Sequence, residues 1–276
     1  MSTYIPGSEI SRFNRLHSDR PYPVSPQFME VLKLSLQINR ESHGAFDVTV
    51  GPLVDLWGFG KKGERQSPPP EDQIEQIRSR VGSQFIHILN DSMISKSNPE
   101  SELDFSAVAK GYGVDEVTRF LSQLGYKNFI VEIGGEVEVR GFHFNNPWKI
   151  GIDRPQIGNQ PGEKLEAILK LSNIAVATSG DYRNYFISGH HLYSHEINPA
   201  TGYPIDNGVA SVTIIAPSCA LADAMATAIM VMGGKSGLAW VESKPKVETL
   251  IIVHRKEGFK EMMSSGFKTF LKKSTH

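Results

Sequence analysis

A chain of 276 residues with 39% hydrophobic and 21% charged residues has an ordinary globular composition and is long enough to bury a substantial core. Its formal net charge is −1 and no face is basic by sequence, so binding to a nucleic-acid backbone has no support. Cys219 is the only cysteine, which excludes an intramolecular disulfide and a cysteine-based zinc site.

In chain order, residues 1–20 are polar and carry Pro6, Arg12, Arg15 and Arg20, which does not fit a signal peptide. No later stretch approaches the roughly 20 apolar residues of a membrane span. As given, the chain reads as soluble, compatible with the loss of an exported precursor's front end. Ser25 can cap a helix and Pro26 suits its first position; Phe28, Val31, Leu32 and Ile38 follow at helical spacing, and His43-Gly44 ends it. Residues 61–71 are charged, contain Pro68-Pro69-Pro70 and read as an exposed loop. A helix over 71–81 places Ile74, Ile77 and Val81 on one face, and residues 85–89 and 93–95 read as a hairpin around Asn90-Asp91.

A stronger helix runs over 109–124, with Val117, Phe120, Leu121 and Leu124 as its apolar stripe and Gly125 closing it. Strands follow at 129–133, through Val137 and Val139 after Gly134-Gly135, and at 148–152, 167–171, 193–197 and 209–216. Ser218 opens a helix over 220–232 that Gly233-Gly234 stops, and a helix over 235–241 and a strand over 250–254 complete the pattern. Hairpin-joined strands with helices inserted singly predict an α+β fold rather than a doubly wound parallel sheet. No repeat recurs at a fixed period and no low-complexity linker divides the chain, so residues 1–276 read as one domain.

The standard nucleotide signatures and H-E-x-x-H are absent. Four segments stand out instead. Gly44-Ala45-Phe46-Asp47-Val48-Thr49-Val50-Gly51-Pro52-Leu53, continuing to Leu56-Trp57-Gly58-Phe59-Gly60, crowds glycine, aromatic and acid together; it is either a ligand-approaching loop with flat apolar surface or a buried turn with structural aromatics. In Leu103-Asp104-Phe105-Ser106-Ala107-Val108-Ala109-Lys110-Gly111-Tyr112, Asp104 and Lys110 flank a helix start, as a cap and a solvated charge or as a site for a polar ring and phosphates.

The third segment joins Thr178-Ser179-Gly180-Asp181-Tyr182 to His190-His191-Leu192-Tyr193-Ser194-His195-Glu196-Ile197 and the turn Asn198-Pro199-Ala200-Thr201-Gly202. His195 is either a proton carrier or a hydrogen-bonded histidine at a strand end. In Ala222-Asp223-Ala224-Met225-Ala226-Thr227-Ala228, Asp223 and Thr227 share a helix face at i and i+4. They suit Mg2+, which prefers oxygen ligands, or they make a local polar contact among small residues.

Together and in this order, these segments resemble the ApbE family, the FAD:protein FMN transferases. That family reads approximately G-A-F-D-x-T-V-G-P-L and L-W-G-F-G, then D-x-G-A-x-A-K-G-Y, a G-G strand pair, T-S-G-x-Y, S-H-x-x-D/N-P-x-T-G-x-P and A-D-A-x-x-T-A. This chain has Phe105-Ser106 where many members have Leu-Gly, and Asn198 where many have Asp. The resemblance runs from about Ser2 to Gly234. Members usually begin with strands and an M-G-T motif; this chain starts after it and is expected to be N-terminally short.

The resemblance implies a T-fold-like arrangement of two related halves with antiparallel sheets and helices. It implies that FMN is transferred from FAD to a Thr or Ser hydroxyl of an acceptor protein with release of AMP. It matches Ala45, Phe46, Asp47, Asp104, Lys110 and Ile197 to FAD-contacting positions and Tyr4 to an aromatic that stacks on the flavin. Asp223 and Thr227 match Mg2+ side-chain ligands, and Ala107 matches a position whose carbonyl ligates the ion. Some members carry a second Asp where this chain has Ala226. His195 is the expected base for the acceptor hydroxyl. By resemblance the acceptor is an electron-transport subunit such as that of Na+-translocating NADH:quinone reductase, and the location is periplasmic at the inner membrane, with cytoplasm as the alternative. Two rivals remain: FAD hydrolysis to FMN and AMP, and non-catalytic flavin binding.

Overall fold

The computed structural model describes residues 1–272 except Lys62, Glu64, Pro161, Arg183 and His190. Two residues of the expected 61–71 loop and His190 of the His190-His191 pair therefore lie outside the described residues. The chain groups into two compact units, unit 1 comprising 1–109 and 184–205 and unit 2 comprising 110–183 and 206–276. Unit 1 opens with α1 (Glu9–Asn14), β1 (Tyr22–Pro23), α2 (Pro26–Glu41), α3 (Gly51–Leu56), α4 (Glu71–Arg78), β2 (Ile86–Asn90) and β3 (Met93–Lys96). From α5 (Ala109–Gln123) the chain continues through β4 (Phe129–Ile133), β5 (Glu136–Arg140), β6 (Trp148–Asp153), β7 (Leu165–Leu171) and β8 (Ile174–Gly180). The hairpin β9 (Tyr185–Ser188) and β10 (His191–Ser194) belongs to unit 1. Unit 2 ends with β11 (Val209–Ala216), α6 (Cys219–Met232), α7 (Gly234–Glu242), β12 (Glu248–His254) and β13 (Phe259–Met263).

In unit 1, the Ser25 hydroxyl accepts from the Phe28 amide at 3.2 Å, so α2 starts where its cap and Pro26 place it. Its buried Phe28 meets Phe105 edge to face with ring centroids 5.0 Å apart. The strands pair antiparallel in the order β1-β3-β2. A separate core gathers Leu53, Trp57, Ile74, Val81 and Ile197, with Phe186 and Tyr193 packed against it.

Unit 2 is built on a six-stranded antiparallel sheet in the order β13-β12-β11-β8-β5-β4. Every residue of β11 is buried, Ser211 and Thr213 included, as a central strand with a mostly apolar run requires. Helix α6 packs on β8 and β11, and α7 on β12. The opposite face carries the core of Val137, Val139, Leu250, Ile252 and Phe267, to which the β6–β7 hairpin adds Ile152, Leu169 and Leu171. The molecule is thus α+β with antiparallel sheets.

Of the apolar stripe expected on α5, Leu121 packs against a core cluster, but Val117, Phe120 and Leu124 do not face the core. Gly111, Tyr112, Val114 and Thr118 are buried, whereas Phe120 and Leu124 are each 59% exposed. The reason is a close helix crossing. A Cβ added to Gly111 would lie 2.4 Å from the Cys219 carbonyl oxygen and 2.8 Å from the Ala220 Cα, so α6 can pass only over a face without a side chain at that point. The expected strand at 193–197 is also shorter: β10 stops at Ser194, and Ile197 forms an isolated bridge with Pro204.

Candidate active site

In unit 2, Asp223 lies in the first half of α6, 3% exposed, and its Oδ2 accepts from the Gly111 amide at 3.0 Å. Burial pushes its carboxyl up; the charge of Lys110 and the Gly111 hydrogen bond oppose that shift. Thr227 is one turn further on, and its hydroxyl is 3.2 Å from that of Ser179 on β8. Lys110, half-exposed at the start of α5, donates from Nζ to Oε1 of Glu136 at 2.5 Å. Glu136 is 2% exposed, and its Oε2 has no hydrogen-bond partner. Burial, reinforced by Asp223, pushes the Glu136 carboxyl up to about 7.

Two buried carboxyls thus share one lysine, and one carboxylate oxygen is unpaired. A hard cation would relieve that imbalance. Among the described residues no three His, Cys, Asp or Glu side chains are grouped to hold a metal ion. The donor set here is carboxylate and hydroxyl oxygen, which fits Mg2+ completed by carbonyl oxygens and water rather than a zinc-type ion.

Unit 1 presents a different chemistry. Asp47 is 9% exposed, and its carboxylate is filled by its own surroundings. Oδ1 accepts from Thr49 N at 2.8 Å, Thr49 Oγ1 at 2.6 Å and Ser83 Oγ at 2.8 Å; Oδ2 accepts from Ser83 N at 2.9 Å and Asn39 Nδ2 at 3.2 Å. Phe46 is 2% exposed, leaving Ala45 as the partly exposed side chain of that triplet. The Asp104 amide donates to the Val48 carbonyl at 2.6 Å, which ties the second segment to the first. Asp104 Oδ1 accepts from both Ser106 N and Ser106 Oγ, and a Cβ at Gly51 would press to 3.0 Å from the Asp104 Cβ.

Trp57 is fully buried, stacks on Tyr193 at 5.4 Å and donates from its indole nitrogen to the Gly202 carbonyl at 2.8 Å. That anchors the Asn198–Gly202 turn, where Gly202 N bonds Asn198 O at 2.8 Å. His195, just after β10, holds its Nδ1 3.2 Å from the Asn184 carbonyl. A carbonyl can only accept, so the neutral ring carries its proton on Nδ1 and keeps Nε2 as the basic nitrogen. Nε2 lies 3.6 Å from a carboxylate oxygen of Glu196, and the ring meets Phe59 edge on. The Ile197 side chain is in the core, Tyr4 is 66% exposed with Lys61 Nζ 5.9 Å from its ring centre, and Ala107 sits in the turn before α5.

The model of the ApbE family matches residues 1–251. This chain belongs to the ApbE family. It is 43% identical over 274 residues to a FAD:protein FMN transferase of Vibrio cholerae, covering 99% of this chain and 80% of that protein. A FAD:protein FMN transferase of Haemophilus influenzae is 39% identical, with 97% of this chain and 78% of that protein covered. Among solved structures, the flavin transferase ApbE from Vibrio cholerae superposes with a TM-score of 0.89 at 42% identity, covering 98% of this chain and 85% of that one. The apo flavinyl transferase ApbE of Pseudomonas stutzeri gives 0.87 at 36% identity, covering 98% and 83%.

Within this ApbE-family chain, unit 2 brings together Lys110, Asp223 and Thr227, and unit 1 brings together the Ala45–Asp47 triplet and Asp104. Phe46, Asp47 and Ile197 turn their side chains inward, so the loops they shape, rather than those side chains, are available to a ligand. Glu136 lies outside the four segments with unusual composition. Its signal is the alternation Glu136-Val137-Glu138-Val139: the valines enter the core under the sheet, and both glutamates, each 2% exposed, lie on the opposite face.

Proposed function

We propose that this chain transfers FMN from FAD to a Ser or Thr hydroxyl of an acceptor protein, releasing AMP, in a Mg2+-dependent reaction. The observation that carries the reading is the Asp223–Thr227 pair beside Lys110 and the unpaired Glu136 oxygen, in a chain 43% identical to a FAD:protein FMN transferase. Asp223 by its carboxylate and Thr227 by its hydroxyl, both in unit 2, would hold the ion. Bound Mg2+ supplies positive charge that neutralises the pyrophosphate and stabilises charge developing on it.

The protein's own groups account for the rest. Lys110 offers a point charge to phosphate oxygens, and Glu136 fixes where that charge sits. The acceptor oxygen bonds to the FMN-side phosphorus, the bond from that phosphorus to the AMP oxygen breaks, and AMP leaves with the electron pair. The hydroxyl proton passes to His195 Nε2, the nitrogen its tautomer leaves free. In unit 1, the Asp47-braced loop and Asp104 shape the flavin contact. On the resemblance, the acceptor is an electron-transport subunit reached at the periplasmic side of the inner membrane.

The test is a denaturing gel of a candidate acceptor after incubation with the protein, FAD and Mg2+. Flavin fluorescence that stays with the acceptor band, and disappears when its Thr or Ser is replaced by Ala, supports transfer. FMN and AMP with no labelled acceptor favour hydrolysis instead.

A further inference from the structure

We infer that Asp115 is a positioning residue for the cation site: it holds α6, which carries Asp223 and Thr227, in register with the first turn of α5, which carries Lys110. The inference rests on the reading of Asp223 and Thr227 as cation ligands.

The first amides of a helix have no partners within it and must find them elsewhere. At the start of α6 they find Asp115, on the neighbouring helix. Its Oδ1 accepts from Cys219 N at 2.6 Å, and its Oδ2 from Ala220 N at 2.9 Å. The local cap, Ser218 Oγ, takes only the next amide, Leu221 N, at a long 3.4 Å. One turn earlier on α5, the Gly111 amide donates the other way, to Asp223 Oδ2 on α6. Each helix therefore supplies a carboxylate to the other's backbone, and Asp223 is itself one of the two.

The Gly111 notch and the buried Met225, Ile229 and Met230 limit where α6 can lie, but the small residues between them leave slack in register. Ala220, Ala222, Ala224, Ala226 and Ala228 fill much of the buried surface of α6, and methyl groups offer little to stop a helix sliding. Directional hydrogen bonds do, which is the best-attested use of a buried polar group. Beside Asp115, on the sheet, the buried Glu138 is paired with Arg140 at 2.5 Å. Displacing the start of α6 moves Asp223, and Thr227 one turn later, relative to Lys110.

The test uses the full chain without FAD and Mn2+ as the probe ion, titrated by electron paramagnetic resonance. Amide exchange at Gly111 is followed in parallel. Asp115→Ala is expected to weaken Mn2+ binding roughly tenfold, the lower end of what residues that orient a metal ligand contribute. It should also speed exchange of the Gly111 amide. Asp115→Asn, which keeps one acceptor oxygen, should fall between it and the unmodified protein, and it serves should Asp115→Ala fail to fold. Leu171→Ala, which empties part of the Ile152–Leu169–Phe267 core, is the control for lost stability and should keep its Mn2+ affinity. Unchanged Mn2+ affinity in the Asp115 variants, or an equal loss in Leu171→Ala, overturns the inference. Asp223→Ala separates the two levels: if it binds Mn2+ as the unmodified protein does, the cation reading itself fails and takes the inference with it.

Discussion

Replacing Asp47 tests whether its carboxylate is a brace or a ligand contact. Five donors converge on it, and two of them, the amides of Thr49 and Ser83, are fixed in buried backbone. Hydroxyl donors can rotate to other acceptors; backbone amides cannot. Asp47→Ala leaves both amides unpaired, and at ~1–3 kcal/mol for each buried unsatisfied group the loss is about 4 kcal/mol. Asp47→Asn keeps one acceptor oxygen, so whichever way the amide turns, its nitrogen faces one fixed N–H, for a loss of about 2 kcal/mol. The assay is urea unfolding of the FAD-free protein at pH 7, followed by circular dichroism, with the slope unchanged and the midpoint lowered. A two-to-one ratio of losses supports the brace. Asp47→Ala that unfolds like the unmodified protein yet no longer binds FAD would refute the reasoning, since the carboxylate would then be spending its hydrogen bonds on the flavin.

Trp57→Ala removes a fully buried ring and its bond to Gly202, and should cost ~3–5 kcal/mol in the same urea assay; a loss under 1 kcal/mol would contradict the packing described. Asp223→Ala should abolish Mg2+-dependent transfer while lowering metal-free stability by no more than the ~1–3 kcal/mol of the Gly111 amide it leaves unpaired, because removing a buried carboxyl disfavoured in its charged form offsets part of that loss; retained activity would sink the assignment. Burial, opposed by Arg140 and reinforced by Asp115, pushes Glu138 up to about 7 from 4.5. A raised carboxyl stabilises the fold below its unfolded value, and that contribution is lost as pH rises through the folded one. Metal-free stability should therefore fall between about pH 4.5 and 7, by at most ~1.4 kcal/mol per pH unit for this one proton. Glu138→Gln should flatten that slope, and an identical slope in the variant would count against it. His195→Ala should slow transfer while FAD affinity by fluorescence titration stays the same, since a base acts on the transition state; an equal loss in both would make His195 a binding residue.

Much of the fold was legible where one signal dominated. The β-branched, mostly apolar run of β11 and the Ser218 and Ser25 caps each led to the right element. Strand β8 escaped notice although it lies between β11 and β5, because Ala175, Ala177, Thr178 and Ser179 carry no strong strand signature and their burial comes from both neighbours. On α5 only Leu121 of the apolar stripe packs inward, because Phe120 and Leu124 point outward and the packing face is marked by Gly111, a signal of approach rather than of hydrophobicity. At the site, Asp223 and Thr227 could be paired from their spacing on one helix. Glu136 could not, since its partner Lys110 is 26 residues away and only the β4–β5 turn brings them together. That Asp47 points inward was equally hidden: its donors Ser83 and Asn39 come from separate segments.

The most direct measurement is the intact mass of an acceptor protein after incubation with this chain, FAD and Mg2+, beside a parallel reaction with Asp223→Ala. The account predicts that the acceptor gains the mass of FMN less one water, on a Ser or Thr, with AMP released in equal amount and neither product formed by the variant. An acceptor whose mass never changes while free FMN accumulates, or the same gain with Asp223→Ala, would contradict it.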